Sequence, residues 1–239
     1  GGRGHMSTTR STRAAVAVTV AALTLAGASP AIADTDAVAS AAPTSGGSLT
    51  VYQERAASLH PGAALNDINA AVYGDLFRLD EDGATYGLVA EEIDATDPSN
   101  WTIHLREGVE FTDGTPLDAA AVQFNWEWHA VPENSSIAAS TAVSIASMEV
   151  VDPLTLEVEL AAPDSAFDIA VATGPLNWIG SPSAMEADIQ AFGRGPVAAG
   201  PFMVSDFVQD GAITLERNPN YFESGLPYLD ELIYQPVGE

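Results

Sequence analysis

The chain has 239 residues, with eight basic residues, all arginine, set against 33 Asp and Glu, no cysteine and 46% hydrophobic residues. This composition describes a folded acidic chain and excludes a disordered or fibrous one. A net charge of −25 repels phosphate backbones and anionic lipid, so nucleic acid is excluded as a partner; the lack of cysteine removes disulfides, thiol nucleophiles and Cys-based metal clusters.

Residues 1–5 read as an expression remnant ahead of a start at Met6. Arg10 and Arg13, an apolar run Ala14 to Ala28, a breaker at Pro30 and Ala31-Ile32-Ala33 before Asp34 follow the order of a secretory signal peptide over residues 6–33. The apolar run is too short to be a comfortable membrane span, which needs about 20 residues. Export is therefore expected, to the periplasm or the cell surface. Removing the first 33 residues leaves five arginines against the same 33 acids. Residues 34–47, rich in Ala, Ser, Thr and Pro, read as a flexible leader.

Ser48 to Gln53 has the β-branched and aromatic content of a buried strand, and Asn66 to Leu76 the three-and-four spacing of a helix. Asp80 to Gly83 is a turn between strands, where Asp-Gly supplies the positive φ of a tight hairpin. Trp101 to Arg106 alternates, which places Trp101, Ile103 and Leu105 on an inward face and His104 and Arg106 on the other. Thr115, Pro116 and Asp118 are expected as N-cap, first residue and first-turn acid of a helix to about His129, with Val122/Trp126 and Phe124/Trp128 as four-apart core pairs. Two extended runs around Asp152-Pro153 predict a hairpin. A short helix at 165–173, a small one at 182–189 and strands at 200–207, 212–217 and 228–237 complete an α+β or mixed α/β chain.

Catalytic signatures are missing from the sequence: it has no G-x-S-x-G elbow, phosphate loop, H-E-x-x-H or dinucleotide fingerprint. His60, His104 and His129 lack metal-ligand spacing and are expected to be structural or solvent-facing. No cofactor is indicated. Among so many acids a carboxylate pair can always be nominated, so a secreted glycoside hydrolase stands as the alternative function.

Leu88-Val89-Ala90-Glu91, and then the unbroken run from Trp101 through His104, Glu110-Phe111-Thr112-Asp113-Gly114 to Thr115-Pro116-Leu117, resembles the signature region of family 5 extracellular solute-binding proteins, the peptide- and nickel-binding receptors of ABC importers. Ser58-Leu59-His60-Pro61, Gly200-Pro201-Phe202, Asn218-Pro219-Asn220-Tyr221 and Tyr228-Leu229-Asp230 resemble further family motifs in the family's order. Three positions depart from it: His60 replaces an Asp, Ala119 to Val122 replaces Ala-Glu-Asp-Val, and Leu25-Ala26-Gly27-Ala28 is a lipobox lacking its lipidated Cys.

The resemblance implies a type II, periplasmic-binding-protein-like first lobe with an inserted small subdomain and the second lobe absent. Its core would be 48–86 with 180–239, and its insertion 87–179. It implies a non-enzymatic receptor that captures a peptide or another small polar solute and delivers it to an ABC permease in the membrane. Matching the family's first-strand exit puts Glu54, Arg55 and Ala57 at the ligand cleft, and matching its last strand puts Tyr234 near the hinge. Trp178, a large aromatic in a Gly/Pro-rich loop, is added as a ligand contact. With its partner lobe absent, the chain is expected to expose an apolar or aromatic surface around Glu54, Arg55, Trp178 and Tyr234 and to bind peptides weakly.

Overall fold

The structure, a computed structural model, describes residues 44–54, 56–63 and 67–237, all within one unit spanning 43–239. The expression remnant, the signal peptide and most of the leader lie outside the described residues. Strand β1 (Ser48–Gln53) comes first, then helix α1 (Asp67–Tyr73) and the short pair β2 (Phe77–Leu79) and β3 (Thr85–Gly87). The turn between β2 and β3 forms as its sequence predicts: Asp80 Oδ1 accepts from the backbone N–H groups of Asp82 and Ala84, and Gly83 adopts φ +81°. β1 departs from expectation. Leu49 and Tyr52 are 49% and 69% exposed, because the strand lies at the edge of its sheet with a neighbour on one side only.

A second sheet comes from one continuous stretch of chain. It contains β4 (Ala90–Asp97) and β5 (Asn100–Leu105), then, after α2 (Ala119–Ala130) and α3 (Ala139–Ala142), β6 (Ile145–Asp152) and β7 (Thr155–Leu160). The order is β4-β5-β7-β6, antiparallel throughout. On β5 the alternation holds: Trp101, Ile103 and Leu105 are buried, whereas His104 and Arg106 are half-buried.

Helix α2 starts later than the sequence suggests. The carbonyl of Thr115 accepts from Phe111 N–H, Leu117 N–H donates to the carbonyl of Val109, and Asp113 Oδ1 takes both the N–H and the hydroxyl of Thr115. Backbone groups already committed to this tight return cannot open a helix. Asp118 is the N-cap instead, extended at φ −123° with its side chain accepting from Ala121 N–H.

The chain then adds α4 (Phe167–Thr173), α5 (Pro182–Ala187) and α6 (Ile189–Phe192), followed by β8 (Phe202–Phe207), β9 (Ile213–Arg217) and β10 (Glu231–Pro236). These last strands join β1 in the order β1-β10-β9-β8. β10 runs antiparallel to β9 but parallel to β1, with Val51 opposite Tyr234.

Two apolar clusters fill the interior. The first packs β5, β7, Val122 and Trp126 of α2, Phe167 and Phe77; the second packs α1, Trp178 and the inner residues of β8, β9 and β10. Helix α2 serves both, because Phe124 and Trp128, on another side of the helix from Val122 and Trp126, pack half-buried against the second. Two buried asparagines tie distant segments together. Asn177 accepts from Phe77 N–H at 2.8 Å and donates to the carbonyls of Phe77 and Ala172. Asn125 accepts from Gly180 N–H and donates to the carbonyls of Ala121 and Gly180. Where α1 meets the start of β8, Gly200 donates its N–H to the carbonyl of Val72; a Cβ at that glycine would lie 2.3 Å from the same oxygen, so only glycine permits the approach. Among the described residues no helix is long and apolar enough to cross a membrane.

Candidate functional site

Parallel pairing sends the carboxyl ends of β1 and β10 out on one side of their sheet. The antiparallel register brings the β8–β9 turn to that side too, because Ile213, the first residue of β9, lies opposite Tyr234. The carboxyl ends of sheet strands are where open α/β folds hold ligands, since the chain leaves the sheet there and its loops diverge. A narrow crevice lies at this edge, lined by Gln53, Glu54, Ile68, Gly211, Tyr234 and Pro236. A larger groove of about 550 Å³ is lined by Ala57 and Ser58 after β1, Gln209 of the β8–β9 turn, the end of α2 and the following turn, and α6. That volume is within the usual range for small-solute pockets.

His60 anchors the groove. It is 8% exposed, its ring centroid lies 4.3 Å from that of Trp128, and Phe192 approaches its edge at 6.0 Å. Its backbone N–H donates to Ser58 Oγ, which in turn donates to the carbonyl of Gly193, so the loop after β1 is tied to the end of α6. Nδ1 accepts from Gly62 N–H, which leaves the proton of a neutral imidazole on Nε2; that buried nitrogen has no hydrogen-bond partner among the described residues. Burial lowers the pKa of His60 to about 4. The same cause, helped by nearby His60, lowers His129 to about 4, and its Nδ1 lies 2.6 Å from Ser136 Oγ. Both imidazoles are therefore neutral structural groups at pH 7.

The expected site residues separate on inspection. Glu54 and Ala57 are both exposed, on the crevice and the groove respectively. Arg55 lies outside the described residues. Tyr234 also borders the crevice but is only 6% exposed, and burial, with Asp67 adding to it, raises its phenol pKa. Trp178 belongs to the core: it is 7% exposed, stacks on Tyr73 at 6.3 Å and donates Nε1–H to Asp75 Oδ1 at 3.0 Å. The exposed aromatic surface expected around Trp178 and Tyr234 is thus not there, because α1 and the sheet cover both rings. Sequence reasoning passes over Trp128, Gln190, Arg194 and Gln209 as groove residues. Besides Ala57, the Ser58-Leu59-His60-Pro61 motif points toward this groove, and it does so as a turn.

Little favours acid–base catalysis. Asp97 is held below the usual carboxylate range by the N–H of Ser99 and by Asn100. For Asp113, partial burial works upward, but hydrogen bonds from Thr115, Ser181 and Ser183 outweigh it and hold the group low. A general acid needs the opposite shift. Among the described residues no cluster of three or more His, Asp or Glu could hold a metal ion.

Comparison with known proteins is consistent with this geometry. The fold resembles AgaA of A. tumefaciens R10, solved with agropinic acid, at a TM-score of 0.73 with 24% identity over 80% of this chain and 40% of that one. It also resembles the oligopeptide-binding protein AppA of Bacillus subtilis, solved with a nonapeptide, at a TM-score of 0.73 with 26% identity over 82% of this chain and 41% of that one. The architecture is thus the mixed α/β periplasmic-binding-protein-like fold. The family model for bacterial extracellular solute-binding proteins, family 5 middle, matches residues 84–239, and the chain belongs to that family. In sequence it is 35% identical over 185 residues to the glutathione-binding protein GsiB of Salmonella paratyphi A, covering 75% of this chain and 36% of the relative. The GsiB of Escherichia coli O157:H7 is 32% identical over 187 residues, covering 76% of this chain and 36% of the relative. The chain spans a little over a third of the length of these curated relatives.

Proposed function

We propose that this chain is the first lobe of an ABC importer's receptor, which captures a peptide or a similar small polar solute outside the membrane and hands it to a permease. The observation that carries this reading is the shared exit of β1 and β10 beside two recesses, in a fold whose relatives include proteins named for glutathione and solved with a nonapeptide. Glu54 and Ala57 form the ligand-facing rim, with Tyr234 as a buried support, and Arg55, outside the described residues, is the further ligand contact. The core of the lobe is 48–86 with 180–239, and 87–179 is an insertion carrying its own sheet. No bond is made or broken: selectivity comes from backbone groups at the strand ends and a few side chains.

Chemical-shift mapping with glutathione and short peptides at millimolar concentration tests the reading. Shifts concentrated at Glu54 to Ala57 and around Tyr234 are expected, with weak affinity. Perturbations confined to other faces, or none with any peptide, would overturn it; turnover of a glycoside would favour the hydrolase.

A further inference from the structure

The turn over residues 58–63 forms part of the groove wall, and it is held from two sides. Leu59 N–H donates to the carbonyl of Gly193 at 2.8 Å, and Ile137 N–H donates to the carbonyl of Gly62 at 3.0 Å, so the turn bridges the end of α6 and the segment that follows α2. Tyr73 adds a third tie, its hydroxyl donating to the carbonyl of Leu59. Packing is close: a Cβ at Gly62 would lie 3.0 Å from Ser136 Oγ and 3.1 Å from the Trp128 ring.

The His60 ring at the centre of this turn is seated so that only its neutral form fits. Nδ1 accepts from Gly62 N–H at 3.1 Å, so a proton there sets two donors against each other. Turning the ring over gives no relief, because an imidazolium carries N–H on both nitrogens and Nε2 is buried where no described residue accepts from it. Trp128 and Phe192 cover the ring and withhold the solvation a cation needs. The neighbouring elements do not compensate. His129 on α2 is near enough for two imidazolium charges to repel, and Tyr73 of α1 stays protonated because burial raises its pKa. Among the described residues lining the groove there is one carboxylate, Glu133, and one guanidinium, Arg194, whose charges oppose each other.

We propose that the 58–63 turn is an acid-released latch: a proton on His60 expels the ring from its seat against Trp128 and Phe192, breaks the Gly62–Ile137 and Leu59–Gly193 ties, and widens the groove while both four-stranded sheets stay folded. The switch lies in the chain itself and holds whichever solute the groove receives.

Amide hydrogen exchange on the whole chain, followed by NMR from pH 7 to 4.5 and corrected for the intrinsic effect of pH, is the test. Protection of the Leu59, Gly62 and Ile137 amides is expected to fall about tenfold or more over that range, because the released imidazole regains an ordinary pKa near 6.5 and takes up the proton. At pH 4.5 the three should exchange at least about tenfold faster than the amides of Leu105 and Leu160, which donate to Leu154 and Ser99 in the other half of the chain's hydrogen bonding. His60→Asn offers Oδ1 to Gly62 N–H at every pH and cannot be protonated, so it should abolish the fall; its folding is checked by the Trp126 indole resonance. Protection of the three amides that is unchanged from pH 7 to 4.5, or lost only in step with Leu105 and Leu160, overturns the latch, as does a fall of the same size in folded His60→Asn. If that variant does not fold, the wild-type comparison with Leu105 and Leu160 decides alone.

Discussion

The two four-stranded sheets are built by different rules. The sheet β4-β5-β7-β6 uses one stretch, residues 90–160, and every pair in it is antiparallel. The sheet β1-β10-β9-β8 takes its edge from residues 48–53 and the rest from beyond residue 200, and it contains the parallel pair. The first sheet packs one face on a dense aromatic and aliphatic cluster, and its two hairpin turns are short. The second needs strands brought together across most of the chain, and its carboxyl ends meet loops from several segments. Residues at that junction have less of their neighbourhood committed to the core, and under the proposed function they are the ones that meet a ligand. The comparison separates a sheet that supports from a sheet that presents.

Removing the centre of the supporting side should have the largest effect. Trp126 is 1% exposed and donates Nε1–H to the carbonyl of Leu176, so Trp126→Ala should cost about 3–5 kcal/mol in chemical denaturation. A cost under about 1 kcal/mol would mean that this cluster does not hold the fold. The tie between Phe77 and the end of α4 comes next. Asn177→Ala leaves both the N–H and the carbonyl of Phe77 without their side-chain partner, at about 2–4 kcal/mol. A cost under about 0.5 kcal/mol in chemical denaturation would mean that this link does not hold the two segments together.

Acid should act on the presenting side. His60 and His129 have folded-state pKa values of about 4 against an unfolded value near 6.5, so between those values the unfolded chain takes up protons that the folded chain refuses. Their contribution is complete above pH 6.5 and declines as pH falls toward 4. From pH 7 to 5 the pair should account for roughly 2–4 kcal/mol of the fall in stability, and His60→Phe with His129→Phe should flatten that slope. A slope unchanged in the double variant would contradict the burial of these rings. The smallest effect is expected at the edge: Tyr52, 69% exposed on β1, should tolerate Tyr52→Thr within about 0.5 kcal/mol.

The supporting sheet is the more legible of the two in sequence. Alternation on Trp101 to Leu105 and the hairpin at Asp152-Pro153 each depend on a few adjacent residues and form as predicted, as does the Asp80–Gly83 turn in the separate β2–β3 pair. The strands near the C-terminus and the helix at Phe167 are also readable from local pattern. Expectation and structure part where distant or competing partners intervene. Thr115 has the side chain of a cap, but residues 109–113 take up the backbone around it; Ser48 to Gln53 has the composition of a buried strand, and composition does not reveal an edge. The groove is the least visible, since Ala57, Trp128, Arg194 and Gln209 are far apart in sequence.

By itself, the sequence determined which face of a strand is apolar, where the chain turns, how acidic the chain is and which motifs follow one another. These are properties of short windows, set by side-chain period, backbone φ and composition. Only the tertiary structure decided that Trp178 sits inside against Tyr73 and Asp75, that β1 lies at an edge and that Arg194 and Glu133 share a groove. Burial and pairing at those positions depend on which remote segment arrives, and no local period encodes the identity of that neighbour.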